Sequence, residues 1–229
     1  MNFENILKNG TTIRSSGTTG DPKQIYRSPS NLKACIDVAV SAQQLTQRSR
    51  ALTVTRMTHA GGLLTQTLPA YSIGADFKIQ QFNAFTFLKD FADYTHTFLT
   101  PAHMTALMKT KGFKNCNLSG KWILGGSDPV SWEMIEAFVS KGAVVQPNWG
   151  MSEVGPIAIN TVFDTIDKVQ EYKQRVNSQT ILGDTVYCDI KIIDNVLYVK
   201  GNLCYVEGWH KTNDIVDNID NIFIYNGRS

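Results

Sequence analysis

The amino-acid sequence predicts an α/β fold: a largely parallel sheet flanked by helices over residues 1–173, followed by a small β-rich subdomain over 174–229. Two observations predict it. Short β-branched runs alternate with helically spaced apolar segments through most of the chain, and after about Lys173 strand-like runs separated by polar turns take over.

Each element follows from local pattern. Leu32, Cys35, Ile36, Ala39 and Val40 recur at helical spacing behind Ser30, a residue able to cap a first turn, which predicts a helix over Asn31–Gln47. Leu52–Thr55 reads as a strand, His59–Gly62 as a turn, Leu63–Tyr71 as a helical segment interrupted by Pro69, and Phe77–Ile79 as a second strand. An amphipathic segment over Phe85–Phe91, a strand over Thr97–Leu99 and a helix opened by Pro101 continue the alternation. Trp122–Leu124 is a buried strand, Val130–Val139 a helix, and Val144–Gln146 a strand ending at Pro147. Thr165–Ser178 is a polar, partly helical connection. Thr185–Ile193, Val196–Val199 and Ile222–Tyr225 are the strands of the second region, with Asp194-Asn195 as a turn between two of them.

Composition narrows the function classes. With 229 residues, 42% of them hydrophobic, the chain can bury a substantial core, and a net charge of +2 gives no field of one sign to recruit nucleic acid or an anionic membrane. Cys35, Cys116, Cys188 and Cys204 are scattered without a C-x-x-C pair or zinc spacing, so they read as reduced thiols. Glu4 and Asn5 interrupt any leader-like apolar stretch and no run is long enough to cross a bilayer. The expectation is a cytoplasmic protein with no nucleic-acid or membrane partner.

The chemistry concentrates in Ser15-Ser16-Gly17-Thr18-Thr19-Gly20-Asp21-Pro22-Lys23. Glycines let backbone N–H groups approach phosphate oxygens, hydroxyls add neutral donors, and lysine neutralises charge. The common phosphate loop has four residues between its glycines and ends Gly-Lys-Ser/Thr, and this stretch has neither. Composition alone favours an ordinary polar turn. Likewise Gly125-Gly126-Ser127 alone is a strand-to-helix turn, His59 a turn residue, and Asp214 a solvated loop acid. Gly150-x-Ser152-x-x-Gly155 is one residue too long for the serine-hydrolase elbow.

Read together, these segments resemble the adenylate-forming superfamily of acyl-CoA synthetases, luciferases and peptide-synthetase adenylation domains. The hydroxyl-rich stretch matches that family's phosphate-loop signature at every defined position. Trp149-Gly150-Met151-Ser152-Glu153 resembles the aromatic-Gly-x-Thr-Glu motif, with Trp for tyrosine and Ser for threonine. Gly208-Trp209-His210-Lys211-Thr212-Asn213-Asp214 resembles Trp-x-x-Thr-Gly-Asp, with Asn213 for glycine, and Gly227-Arg228 the Gly-Arg that closes the large domain.

The resemblance implies roles. Ser16, Gly17, Thr18, Thr19, Gly20 and Lys23 would hold the ATP phosphates. Gly125, Gly126, Ser127, Asn148, Trp149, Gly150, Met151 and Ser152 would surround the nucleotide, and Asp214 and Arg228 would hold its ribose. Glu153 would ligate magnesium, and Thr18, Ser152 and Glu153 would act at the reacting phosphate. His59, Gly61 and Gly126 would border a carboxylic acid, activated as an acyl-adenylate and passed in family members to a thiol such as coenzyme A. The Gly-Met-Ser-Glu segment and compact length look most like o-succinylbenzoate-CoA ligase. Complete members are longer on both sides and carry a catalytic lysine on a C-terminal lid. The expectation is therefore a truncated ligase that adenylates slowly or with a separate lid protein, with a homodimer covering the sheet region that an amino-terminal segment would shield. The alternative is a non-catalytic nucleotide- or acyl-binding module.

Overall fold

The computed structural model describes residues 1–15, 23–176 and 178–229. Helix α1 (Phe3–Asn9) is capped by Asn2, whose side chain accepts from the Asn5 amide at 3.0 Å. It ends at Gly10, where φ is 80° and an added Cβ would lie 2.5 Å from the Arg27 carbonyl oxygen, so only glycine fits. Strands β1 (Thr11–Arg14) and β2 (Gln24–Arg27) then pair antiparallel, with Ile13 opposite Ile25, both buried. The sequence predicts none of these three elements. Each strand has only four residues, too few for alternation to stand out.

Helix α2 (Pro29–Ala42) starts and ends earlier than predicted. Ser28, not Ser30, is the cap, accepting from the Asn31 amide, and Pro29 takes the first helical position, where a missing N–H costs nothing. The helix stops because Gln44 turns to φ 52° and returns Leu45 to the core. Strand β3 (Arg50–Thr53) leads to α3 (Ala60–Gly62), a π-helical turn (Leu63–Thr67) and α4 (Leu68–Ser72). Pro69 sits inside this helical run, and the Thr65 carbonyl, deprived of a Pro69 N–H, accepts from the buried Gln43 side chain at 2.6 Å.

The alternation continues as β4 (Asp76–Ile79), α5 (Phe87–Phe91), β5 (His96–Leu99), α6 (Pro101–Met108), α7 (Lys111–Lys114), β6 (Trp122–Gly125), α8 (Trp132–Val139), β7 (Val144–Met151), β8 (Gly155–Asn160) and α9 (Ile166–Arg175). With β9 (Thr185–Val186) the strands form a seven-stranded sheet in the order β4-β3-β5-β6-β7-β8-β9. The first five are parallel, and β8 and β9 add on antiparallel. A second, antiparallel sheet follows, β10 (Asp189–Ile193), β11 (Val196–Lys200), β12 (His210–Ile219) and β13 (Ile222–Arg228). The predicted fold class is the observed one.

Three differences bear on the site. The strand predicted to stop at Pro147 runs on to Met151, because β7 changes neighbour there: it pairs with β6 as far as Pro147, then with β8 from Asn148. Strand β8, unpredicted because Pro156 argues against a strand, is buried along its whole length. The run predicted as one strand over Thr185–Ile193 divides at Tyr187-Cys188, its first part joining the large sheet and its second the small one. The turn at Asp194-Asn195 is as predicted, with φ of 50° and 61°.

The core lies on both faces of the large sheet. One side packs Met104, Ile135, Phe138 and Phe163; the other packs Leu32, Ile36, Leu64 and Ile159 together with Leu197, Val199 and Val216 of the small sheet. Among the described residues no helix is long and apolar enough to cross a membrane.

His96, at the start of β5, is buried, with Nε2 3.1 Å from the Gln43 carbonyl and its ring stacked near Trp122. Burial, chiefly, holds its pKa below the ordinary value, partly offset by that hydrogen bond. A histidine with a depressed folded-state pKa takes up protons less readily than the unfolded chain, so its contribution to stability is complete above about pH 6.5 and declines as pH falls below it. Thermal melts should therefore show a loss of stability from about pH 6.5 to 5 that is smaller in His96→Gln; an equal slope in both proteins would contradict this.

Candidate functional site

A cavity of about 540 Å³ opens at the carboxyl ends of β5, β6 and β7, the position that favours ligands in an open α/β sheet. Of the residues singled out in the sequence, Lys23, His59, Gly61, Ser127, Asn148, Trp149, Gly150, Met151, Ser152, Glu153, Asp214 and Arg228 line it. Ser16, Gly17, Thr18, Thr19 and Gly20 lie outside the described residues. Their flanks are placed: the Ser15 amide donates to the Lys23 carbonyl at 3.0 Å, the Lys23 amide donates to Ser15 Oγ at 2.9 Å, and both residues line the cavity. The base of the hydroxyl-rich stretch and Glu153 thus face one space.

Gly125 and Gly126 do not line it. A Cβ on Gly126 would lie 2.8 Å from Asn148 Nδ2, and one on Gly125 would lie 3.0 Å from Val130, so these glycines admit protein neighbours. Gly150 likewise serves packing, since its Cβ would fall 2.4 Å from the Gly155 carbonyl oxygen on the adjoining β8. That contact bends the end of β7 into the Met151–Val154 turn that presents Glu153.

Asp214 is the hub of the opposite wall. It is 4% exposed; Trp149 Nε1 donates to its Oδ2 at 2.8 Å and Arg228 Nε donates to its Oδ1 at 2.6 Å. The bond holds the Arg228 guanidinium above its ordinary pKa. Each carboxylate oxygen keeps accepting capacity, because an ionised carboxylate offers about four lone-pair sites. Asn213 takes φ of 65°, the left-handed geometry that a glycine there would adopt freely, and its carbonyl accepts from the Ser229 amide. The exchange of glycine for asparagine is therefore accommodated.

His59 stands just before α3, with Nδ1 3.0 Å from Thr58 Oγ1. Burial, then the nearby Arg56 and Arg14 charges, lower its pKa, which leaves the ring neutral at pH 7. Ser152 is engaged by protein: its hydroxyl donates to the Arg14 carbonyl at 3.3 Å. Asn148 lines the cavity, while its Oδ1 is buried with no hydrogen-bond partner among the described residues. Among the described residues no three His, Cys, Asp or Glu side chains are grouped to hold a metal ion by themselves. A lone carboxylate such as Glu153 suits a magnesium ion shared with phosphates, whose remaining ligands are phosphate oxygens and water.

Sequence reading missed the apolar wall, Phe98, Val130, Pro156, Ile181, Leu182 and Tyr225, contributed by separate elements with no common motif. Phe98 had a signal, its place near the carboxyl end of a strand just before Thr100-Pro101. Its ring closes on Gly61, whose added Cβ would lie 2.8 Å away.

The family model described as AMP-binding enzyme matches residues 11–206. The indoleacetate–CoA ligase of Aromatoleum aromaticum is 30% identical over 148 residues, 63% of this chain and 29% of that ligase. Among solved structures, the o-succinylbenzoate CoA synthetase of Bacillus subtilis, bound to its product analogue, superposes with a TM-score of 0.80 at 19% identity, over 97% of this chain and 50% of that one. The ATP-bound MatB of Rhodopseudomonas palustris gives 0.77 at 16% identity, over 95% and 47%. The chain spans under a third of the length of the curated relatives it matches.

Removing the Asp214 carboxylate strands the Trp149 N–H and takes away the acceptor of the Arg228 Nε–H. Asp214→Ala should lower the unfolding free energy by about 2 kcal/mol in denaturant titrations, discounted for the partial exposure of Arg228, and Asp214→Asn by less. An alanine variant as stable as the parent would refute the hub.

Proposed function

Because the chain belongs to the AMP-binding enzyme family, we propose that it binds ATP with magnesium and a small carboxylic acid in this cavity and joins them as an acyl-adenylate, acting as an acyl-CoA synthetase-like ligase. The observation that carries the reading is the convergence of Ser15 and Lys23, Glu153, the Asp214–Trp149–Arg228 unit and His59 on one space.

The residues divide the work by chemistry. Lys23, with the hydroxyls and backbone N–H groups of Ser16–Gly20, would neutralise and cradle the phosphates. Asp214 would accept from ribose hydroxyls through its remaining lone pairs, with Arg228 beside it, while Trp149 and Asn148 would border the base. Glu153 would hold magnesium, which when bound offsets phosphate charge. The acid would lie between neutral His59, Gly61 and Phe98, a wall that places no fixed charge against its tail. One carboxylate oxygen would attack the α-phosphorus as the bond to the bridging oxygen breaks and pyrophosphate leaves. The coenzyme A thiol, giving up its proton, would then attack the acyl carbon, and the carbon–oxygen bond to AMP would break as AMP leaves. The four unpaired cysteines suit a reducing cytoplasm.

Calorimetry with AMP, ATP·Mg²⁺ and a non-hydrolysable acyl-adenylate analogue tests the reading, and binding of none of them would refute it. Glu153→Gln should weaken ATP·Mg²⁺ by about tenfold and AMP by much less, since AMP recruits no shared metal. Pyrophosphate exchange over a panel of acids, with the chain alone and with a lysine-bearing C-terminal domain of a family member supplied separately, then tests turnover. Binding without exchange in either arm would assign the chain to nucleotide and acyl binding rather than ligation.

A further inference from the structure

Arg27 ends β2 and is fully buried. Its guanidinium donates to the Ser152 carbonyl, to the Leu203 carbonyl at 2.5 Å and to Asn31 Oδ1 at 2.6 Å. Asn31 in turn donates to the carbonyls of Asn202 and Cys204, at 2.6 and 2.9 Å. Among the described residues no carboxylate forms an ion pair with Arg27, and its Nε is buried without a partner. Stability alone gives little reason for such a residue: an apolar side chain of similar volume in a buried ionic site is often as stable or more so. What an arginine adds is a rigid planar fork that fixes several acceptors at once.

Two of those acceptors belong to loops that meet at Glu153. The turn carrying Glu153 is held on three sides: Arg27 takes the Ser152 carbonyl, the Arg14 carbonyl of β1 takes the Ser152 hydroxyl, and the Tyr205 amide donates to the Glu153 carbonyl at 2.9 Å. Arg27 also grips Leu203, two residues before Tyr205. It therefore spans the hairpin β1–β2, whose strands bracket the hydroxyl-rich stretch, and both peptide segments that fix Glu153. We propose that Arg27 is a positioning residue that sets the Glu153 carboxylate in register with Ser15 and Lys23 at the end of the β1–β2 hairpin, so that the metal-holding carboxylate and the Lys23 cation present to one triphosphate. This inference rests on the role proposed above for Glu153.

The test compares two ligands in two backgrounds. Arg27→Met and Arg27→Lys are measured for AMP and for ATP·Mg²⁺ by calorimetry, with and without Glu153→Gln. If Arg27 acts through Glu153, Arg27→Met weakens ATP·Mg²⁺ by about tenfold and AMP by less than about threefold, Arg27→Lys falls between, and in the Glu153→Gln background either change adds almost nothing. Equal weakening of both ligands, an undiminished effect without the Glu153 carboxylate, or no effect at all would overturn it. Should Arg27→Met fail to fold, Arg27→Lys, which can still reach a single carbonyl, decides by the same ratio. Failure of the nucleotide reading looks different: the parent chain then binds neither ligand.

Discussion

One buried carboxylate joins the two sheets at the cavity. Trp149 comes from β7 of the large sheet, Asp214 and Arg228 from neighbouring strands of the small one, and both N–H groups converge on Asp214. Charge-assisted hydrogen bonds are short and directional, so they fix how the small sheet meets the end of β7. That constraint sets the spacing of the cavity walls at the end of β7.

A second polar constraint, around Arg27, sits on the other side of Glu153. The two networks differ in kind. Asp214 gathers side-chain donors, whereas Arg27 gathers mainly main-chain carbonyls, and between them the residues from Asn148 to Val154 are held from both ends. The glycines of this region contribute by absence of volume. Gly150 admits β8 and Gly126 admits Asn148, contacts that a single Cβ would block.

Much of this was legible in the sequence, for reasons that also mark the limit. The parallel strands from β3 to β7 were readable because each is a short apolar run between helices of clear period, and the motif residues were readable because they are contiguous. The hairpin β1–β2 was not, since four-residue strands carry too little alternation to register. Strand β8 was hidden by Pro156, and Arg27 looked like any surface arginine because its partners are carbonyls far along the chain, Ser152 and Leu203. The resemblance set Gly126 and Gly150 beside the nucleotide, but the group that comes close to each in the fold is a neighbouring protein segment, which only the fold reveals.

The division of the Thr185–Ile193 run between two sheets reaches beyond topology. Val186 is laddered to Ile159, and three residues later Asp189 begins pairing with Lys200. So short a span cannot lengthen without breaking a ladder on one side or the other. The small sheet is thus moored to the large one by backbone beside β8 as well as by Asp214 at the cavity, and two separated moorings resist rotation as well as translation.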